Sequence, residues 1–206
     1  LMGPGLATAA QLEAFRKIWQ PMSRCQSLWM SATFQPDWLK TVDFDPGDGG
    51  FCVLRLGDDD LSTPQLRQRY EASKPLARAR CTMDDLKGLA QEILDRHRQI
   101  RGRTLVVVNT VSRAHELYKR MKQLISKASD GTTLVLIHSR FRPGDRREHI
   151  SAALAQPPDA GSIIISTQVV EAGLDINART LFTELAPWVS LVQRFGRCNR
   201  TGTEEQ

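Results

Sequence analysis

The nine residues VQRFGRCNR, Val192 to Arg200, hold three arginines and a glycine. A guanidinium is a permanent cation whose planar fork of N–H donors matches two oxygens of a phosphate or carboxylate. Two of them on one rigid face suit a polyphosphate, and above all a phosphoryl group whose charge spreads during transfer. Ser190 and Gln193 have S-x-x-Q spacing just after Pro187, a capping box that predicts a helix starting there. At about 100° per residue, Gln193, Arg197 and Arg200 then share one face. Leu191, Phe195 and Cys198 take the opposite face, and Arg194 falls between the two. Gly196 disfavours a helix by about 1 kcal/mol against alanine, and its place among arginines predicts that another group approaches closely.

A second segment, STQVVEAGLDI (Ser166 to Ile176), offers two adjacent hydroxyls, Ser166 and Thr167. Gly173 follows for a turn, and then Asp175, whose carboxylate can accept hydrogen bonds from ribose hydroxyls. A third, the short SAT of Ser31 to Thr33, ends an apolar run. Basic runs at Arg96–Arg103 and Ser139–Arg147 join the final arginines. With a formal net charge of +5, they make an anionic partner plausible.

Parallel strands are needed to bring such segments together. TLVVVNT from Thr104 is a β-branched run suited to a strand buried on both faces. SRAHELYKRMKQLI places Ala114, Leu117, Tyr118, Met121, Leu124 and Ile125 at helical spacing behind a Ser112 cap. TTLVLIHS, DRREHISAALA (with Ile150, Ala153 and Leu154 inward), GSIIIST and TLFTELA read as strand, helix, strand and strand. The alternation predicts an α/β fold around a parallel sheet. Ligands of such sheets sit at the carboxyl ends of the strands. Asn109, Thr110, His138, Ser139, Ser166 and Thr167 fall at that edge. Upstream, DDLKGLAQEILDRH reads as a helix capped by Asp84 or Asp85, and TAAQLEAFRKIW as one packed through Leu12, Phe15, Ile18 and Trp19. QSLWMSATF and FCVLRL read as strands on either side of a turn-rich TVDFDPGDGG, with a domain boundary near residues 36–50.

The 206 residues are 41% hydrophobic and 25% charged, the balance of an ordinary globular protein. Cys25, Cys52, Cys81 and Cys198 are too far apart for metal-ligand spacing or a disulfide framework, which fits a reducing cytoplasm. No apolar run approaches the roughly 20 residues that cross a bilayer, and LMGPGLATAAQ has no basic region of a signal peptide. There is no G-x-x-x-x-G-K-[ST] loop and no G-x-S-x-G nucleophile.

In this order the segments resemble superfamily 2 helicases. SAT is similar to motif III, VVVNT to motif IV, STQVVEAGLDI to motif V and QRFGRCNR to motif VI. LMGPGLATAAQLEAFR, LWMSATF and LIHSRFRPGDRREH resemble, more narrowly, the CRISPR-associated helicase-nuclease of type I systems. The resemblance implies two RecA-like domains with ATP and Mg²⁺ between them. Residues 1–40 would then be the tail of the first, 41–80 a connecting segment, and 81–206 the second, incomplete at its end. The phosphate loop and the metal carboxylates would lie outside this chain, which is expected to be inactive alone. By resemblance Arg197 and Arg200 are arginine fingers, Gln193 helps sense nucleotide, and Asp175 with Gly173 meets the ribose side. Thr167, His138, Ser139, Arg140 and Thr110 line a single-strand track, and Ser31 and Thr33 couple the domains. The implied partners are single-stranded DNA and a CRISPR RNA-guided effector complex. An RNA or repair helicase, or a non-enzymatic nucleic-acid-binding module, is the alternative.

Overall fold

A computed structural model describes residues 5–19, 25–30, 35–47, 52–129 and 131–204. Ser31 and Thr33 lie outside the described residues. The chain divides into two compact units, Leu1–Gly57 and Asp58–Gln206.

The first unit holds α1 (Gly5–Trp19) and a 3₁₀ turn, Pro36–Leu39. Its small core is Ala10, Ala14, Leu39 and Phe44, with Leu6 and Trp29 against it. The expected packing stripe of α1 is corrected: Leu12, Phe15, Ile18 and Trp19 are exposed, and the small alanines carry the contact. Small side chains let the helix backbone approach its neighbour closely, which the bulky stripe does not. The described parts of the two expected strands, Gln26–Met30 and Cys52–Leu56, take no regular secondary structure. The turn between them forms, with Thr41 N–H donating to the Phe44 carbonyl at 2.8 Å.

The second unit starts with α2 (Asp58–Leu61) and α3 (Pro64–Tyr70). It continues through α4 (Leu86–Gln99), β1 (Arg103–Val107), α5 (Val111–Ala128), β2 (Thr133–Ile137), α6 (Pro143–Leu154), β3 (Ser162–Ser166), β4 (Thr180–Thr183) and α7 (Trp188–Phe195). A 3₁₀ turn, Gln168–Val170, follows β3. Asp85 caps α4 by accepting from Gly88 N–H at 3.0 Å. The cap of α5 is Thr110, accepting from Arg113 N–H at 3.3 Å, and not Ser112. The helix begins two residues earlier because Thr110 has extended backbone angles that leave its hydroxyl facing the free N–H groups.

The four strands form one parallel sheet in the order β2-β3-β1-β4. Alternation sends Val106, Ile163, Ile165 and Leu136 to one face, against Ile93, Leu94, Leu117 and Met121 of α4 and α5. Leu105, Val107, Ile164, Val135 and Ile137 face the other way, toward Ala153, Val170, Leu174 and Ile176. Of the inward residues expected on α6, Ala153 is buried but Leu154 is 43% exposed, at the end of the helix beyond the sheet. Register pairs Val107 with Ser166 and with Thr183, and Ile137 with Ser166. The four carboxyl ends therefore finish level, about 5 Å apart between neighbours.

The opposite edge is locked by His97, fully buried. Its Nε2 donates to the Ala160 carbonyl at 3.0 Å, and Nδ1 lies 2.8 Å from Thr104 Oγ1. Gly161 sits against it at φ +87°, where a Cβ would meet the Gly102 carbonyl at 2.5 Å and His97 Cε1 at 2.6 Å. Gly161→Ala is expected to destabilise the unit by about 2–4 kcal/mol through a left-handed backbone and a clash with the backbone. Gly144, in the first turn of α6, has open space around it, so Gly144→Ala should be neutral or stabilising by up to about 1 kcal/mol. Urea denaturation of the two variants measures the contrast.

Candidate functional site

Past the level strand ends lie Val108–Thr110 after β1, His138–Arg140 after β2, Ser166–Glu171 at the end of β3 and Glu184 after β4. One side chain connects three of these four ends. Arg194, on α7, is 1% exposed. Its Nε donates to Glu171 Oε1 at 2.9 Å. One terminal nitrogen donates to Thr183 Oγ1 at 2.9 Å and the Glu184 carbonyl at 3.2 Å, the other to Asn109 Oδ1 at 3.0 Å. The network continues outward. Asn109 Nδ2 donates to the Leu185 carbonyl at 2.7 Å, and Asn109 N–H to Glu184 Oε2. The other Glu184 oxygen accepts from Arg113 at 2.6 Å. Gln168 Nε2 donates to the Asn109 carbonyl at 3.0 Å. Helix packing brings Arg194 inward, so its assignment to the border between two faces is corrected.

The helical arginine stripe is corrected too. α7 begins at Trp188 behind Pro187, so Ser190 lies inside it and forms no capping box. It ends at Phe195, where Gly196 closes the last turn at an ordinary φ of −63°. The atoms nearest a Cβ on Gly196 are carbonyls of its own helix, Gln193 and Val192, and no other described residue comes within 4 Å of it. Beyond it the chain is drawn into a short parallel bridge between Ala178 and Cys198. Ala178 N–H donates to the Arg197 carbonyl and Asn199 N–H to the Ala178 carbonyl, each at 2.8 Å. Asn199 turns the backbone into the left-handed region at φ 41°. Backbone pairing with Ala178, rather than helical periodicity, thus orients Arg197 and Arg200, and Gln193 stays behind on α7.

The two arginines still share a locus. Arg197 Nε donates to the Val170 carbonyl at 3.0 Å and a terminal nitrogen to the Glu171 carbonyl at 3.1 Å. Burial, then the like charge of Arg200, draws the Arg197 pKa below its ordinary value, while Asp175 acts the other way; the group remains a cation. Arg200 pairs with Asp175 at 2.7 Å, its N–H donating to Asn177 Oδ1 at 2.7 Å. The Asp175 side chain is 81% exposed. Gly173 supplies the expected turn at φ +82°. Two guanidiniums beside an exposed carboxylate have the donor and acceptor chemistry of the phosphate and ribose ends of a nucleotide. Among the described residues no group of three or more His, Cys, Asp or Glu could hold a metal ion.

The track residues divide by exposure. Thr167 and His138 are buried, at 2% and 3%, whereas Thr110, Ser139 and Arg140 are exposed. His138 Nε2 lies 2.8 Å from His115 Nε2, one ring donating to the other. It stacks on Phe141 at 4.0 Å, and Phe141 on His149 at 4.3 Å. A depression of ≈ 530 Å³ beside it is lined by Ser112, His115, Glu116, Lys119, His138 and Arg140 among others. His138 thus supports the segment from below, and the outward groups are Ser139 and Arg140.

Comparison with known proteins bears on the family and the fold. Residues 100–203, which include all four strands and α7, match the family model for the C-terminal part of CRISPR-associated nuclease/helicase Cas3. The chain belongs to the Cas3 family. A CRISPR-associated nuclease/helicase Cas3 of Methanothermobacter thermautotrophicus is 31% identical over 179 residues, 84% of this chain and 20% of that protein. A CRISPR-associated helicase Cas3 of Thermoproteus tenax is 37% identical over 105 residues, 50% of this chain and 17% of the relative. The crystal structure of T. fusca Cas3-ATP superimposes with a TM-score of 0.53 at 26% identity, covering 63% of this chain and 16% of that one. The chain thus spans about a fifth of its Cas3 relatives, and its sheet with flanking helices is the RecA-like α/β fold expected. Among the described residues no helix is long and apolar enough to cross a membrane.

Sequence reading missed Arg194, Glu171, Glu184 and His115 in this Cas3 chain. The available signal was position: Glu171 and Glu184 each follow an apolar strand by a few residues, where a carboxylate must find a partner. Arg194→Met leaves Glu171 buried without its countercharge and should lower unfolding free energy by about 3–5 kcal/mol in urea titrations. Arg113→Ala, at the exposed end of the network, should cost about 1 kcal/mol or less. A third expectation concerns pH. Burial, then His115, His149 and Arg140, lowers the His138 pKa, so folded His138 resists the proton the unfolded chain accepts near about pH 6.5. Its stability is full above that value and is lost as pH falls toward the depressed folded value. On lowering the pH below about 6.5, melting temperature should fall more steeply in the native chain than in His138→Phe.

Proposed function

We propose that this chain is part of an ATP-dependent translocase on single-stranded DNA that acts in CRISPR antiviral defence alongside an RNA-guided effector complex. The observation that carries the reading is the cluster of Arg197, Arg200 and Asp175 beside the turn at Val170 and Glu171, at the carboxyl edge of the sheet. Family membership and the likeness to T. fusca Cas3-ATP support it.

When bound, the nucleotide supplies the phosphoanhydride whose cleavage drives movement. Arg197 and Arg200 are proposed to receive the phosphoryl oxygens, with Asp175 toward the ribose and Gln193 sensing occupancy from α7. Arg197 keeps the Val170 and Glu171 carbonyls and offers its remaining N–H groups to charged oxygens, which accept roughly twice as strongly as neutral ones. Arg200 leaves an exposed ion pair worth at most about 1 kcal/mol, so its release does not oppose binding strongly. The groups that hold the remaining phosphates and Mg²⁺ are proposed to lie in the rest of the protein. Ser139 and Arg140 at the β2 end, with Thr110 at the β1 end on the far side of β3, are proposed to meet the strand's backbone. Thr167 and His138 hold these ends from within.

Arg197→Ala or Arg200→Ala in the intact protein should lower kcat for ATP about 10³-fold or more, with a smaller change in nucleotide affinity, since the charge they meet develops in the transition state. This chain alone should show background ATPase rates with single-stranded DNA and Mg²⁺; robust turnover overturns the division of the site. Arg140→Ala should weaken binding to every single-stranded sequence alike. Its log–log salt slope should fall by up to about 1 in anisotropy titrations.

A further inference from the structure

We infer that Arg194 is a positioning residue for Arg197, acting through the turn at Val170 and Glu171; the inference rests on the reading of Arg197 as a nucleotide-contacting group. Arg194 is 1% exposed and all its bonding groups are internal, so it cannot itself touch a nucleotide. What it touches is the anchor of the arginine that is proposed to do so. Glu171 is held from two directions: its carboxylate accepts from Arg194 Nε, and its carbonyl accepts from Arg197. The second carbonyl gripping Arg197 belongs to the preceding residue, Val170, fully buried in the sheet core. A further link runs along the chain, where Arg197 N–H donates to the Arg194 carbonyl at 2.9 Å.

The turn is otherwise tied by few bonds. Glu171 N–H donates to the Gln168 carbonyl at 3.0 Å, and Gln168 Nε2 to the Asn109 carbonyl. Arg194 adds a rigid reference to this turn, because the same guanidinium is fixed to the ends of β1 and β4 through Asn109, Thr183 and the Glu184 carbonyl. The guanidinium plane thereby sets the distance between two strand ends and the carbonyls that orient Arg197. A phosphoryl-transfer site loses rate steeply when such a group is misplaced by a fraction of a bond length. A lysine keeps the charge but is a single point with three donors; it can satisfy Glu171 or the strand ends, and not both.

The test is a double-mutant cycle for DNA-stimulated ATP hydrolysis by the full-length protein, with Arg194→Lys, Arg197→Ala, the pair, and His97→Ala as a control. His97 lies at the opposite edge of the sheet, so its loss reports stability alone. Arg194→Lys should lower kcat about tenfold or more at a KM for ATP within about twofold of native, and the pair should be no slower than Arg197→Ala alone. His97→Ala, at an equal or larger drop in melting temperature, should keep native kcat. If Arg194→Lys does not fold, Glu171→Gln takes its place in the same cycle, with the same result expected. Native kcat in Arg194→Lys, a pair slower than either single variant by the product of their effects, or a kcat loss that His97→Ala reproduces, overturns the inference. Native kcat in Arg197→Ala overturns the reading of the nucleotide site itself, and the inference with it.

Discussion

A buried guanidinium cannot be left partly satisfied. Arg194 has lost its water, and removing a cation from water without full compensation costs several kcal/mol. Its four acceptors come from the ends of β1 and β4 and from the turn after β3. Each of those segments is held where the fork needs it, because any displacement strands a charge or a carbonyl. Hydrophobic contacts on the two faces of the sheet resist separation of the layers but are tolerant of small slides. The ionic network is not tolerant, since hydrogen bonds weaken steeply with angle and distance. The carboxyl edge of this sheet is thus the part of the unit whose geometry is most narrowly specified.

The two edges of the sheet use different chemistry for this. At the amino edge, His97, Thr104, Ala160 and Gly161 form a tightly packed hydrogen-bonded lock. At the carboxyl edge, charge is layered by depth. Arg194 and Glu171 are buried, Arg113 and Glu184 are partly exposed, and Arg200 and Asp175 face water. The inner pair is costly to disturb and fixes geometry, whereas the outer pair is weak enough to exchange partners. Arg197 sits between, held by two carbonyls that leave its other N–H groups unengaged by them.

The end of β2 repeats the arrangement with aromatic rings. His138 is buried beneath Phe141, bonded to His115 of α5, and the stack continues to His149 of α6. The rings fix the backbone at Ser139 and Arg140, which stay exposed. In both places a buried polar residue supports an exposed one a short distance away along the chain.

The sequence alone determined the parallel sheet, because VVV, LVLI and SIIIS can only be strands covered on both faces, with amphipathic helices between them. It also placed Asn109, His138 and Thr167 at the carboxyl edge of the sheet, since the ends of parallel strands are adjacent by construction. Motif wording sufficed for family membership. Periodicity misled where local signals competed with long-range pairing. S-x-x-Q predicted the start of α7 three residues late, and extending the helical period past Gly196 put Arg197 and Arg200 on a face that the bridge to Ala178 abolishes. In α1 the apolar period was correct as a helix and wrong as a packing face. Tertiary structure alone decided the surroundings of the arginines. Three guanidiniums in one short segment are chemically identical in sequence, and only depth separates them: Arg194 is fully enclosed by acceptors, Arg197 half-enclosed, and Arg200 left to water and one carboxylate. Depth depends on Asn109, Glu171 and Thr183, which are distant in the chain from the arginines, so no local pattern could have reported it.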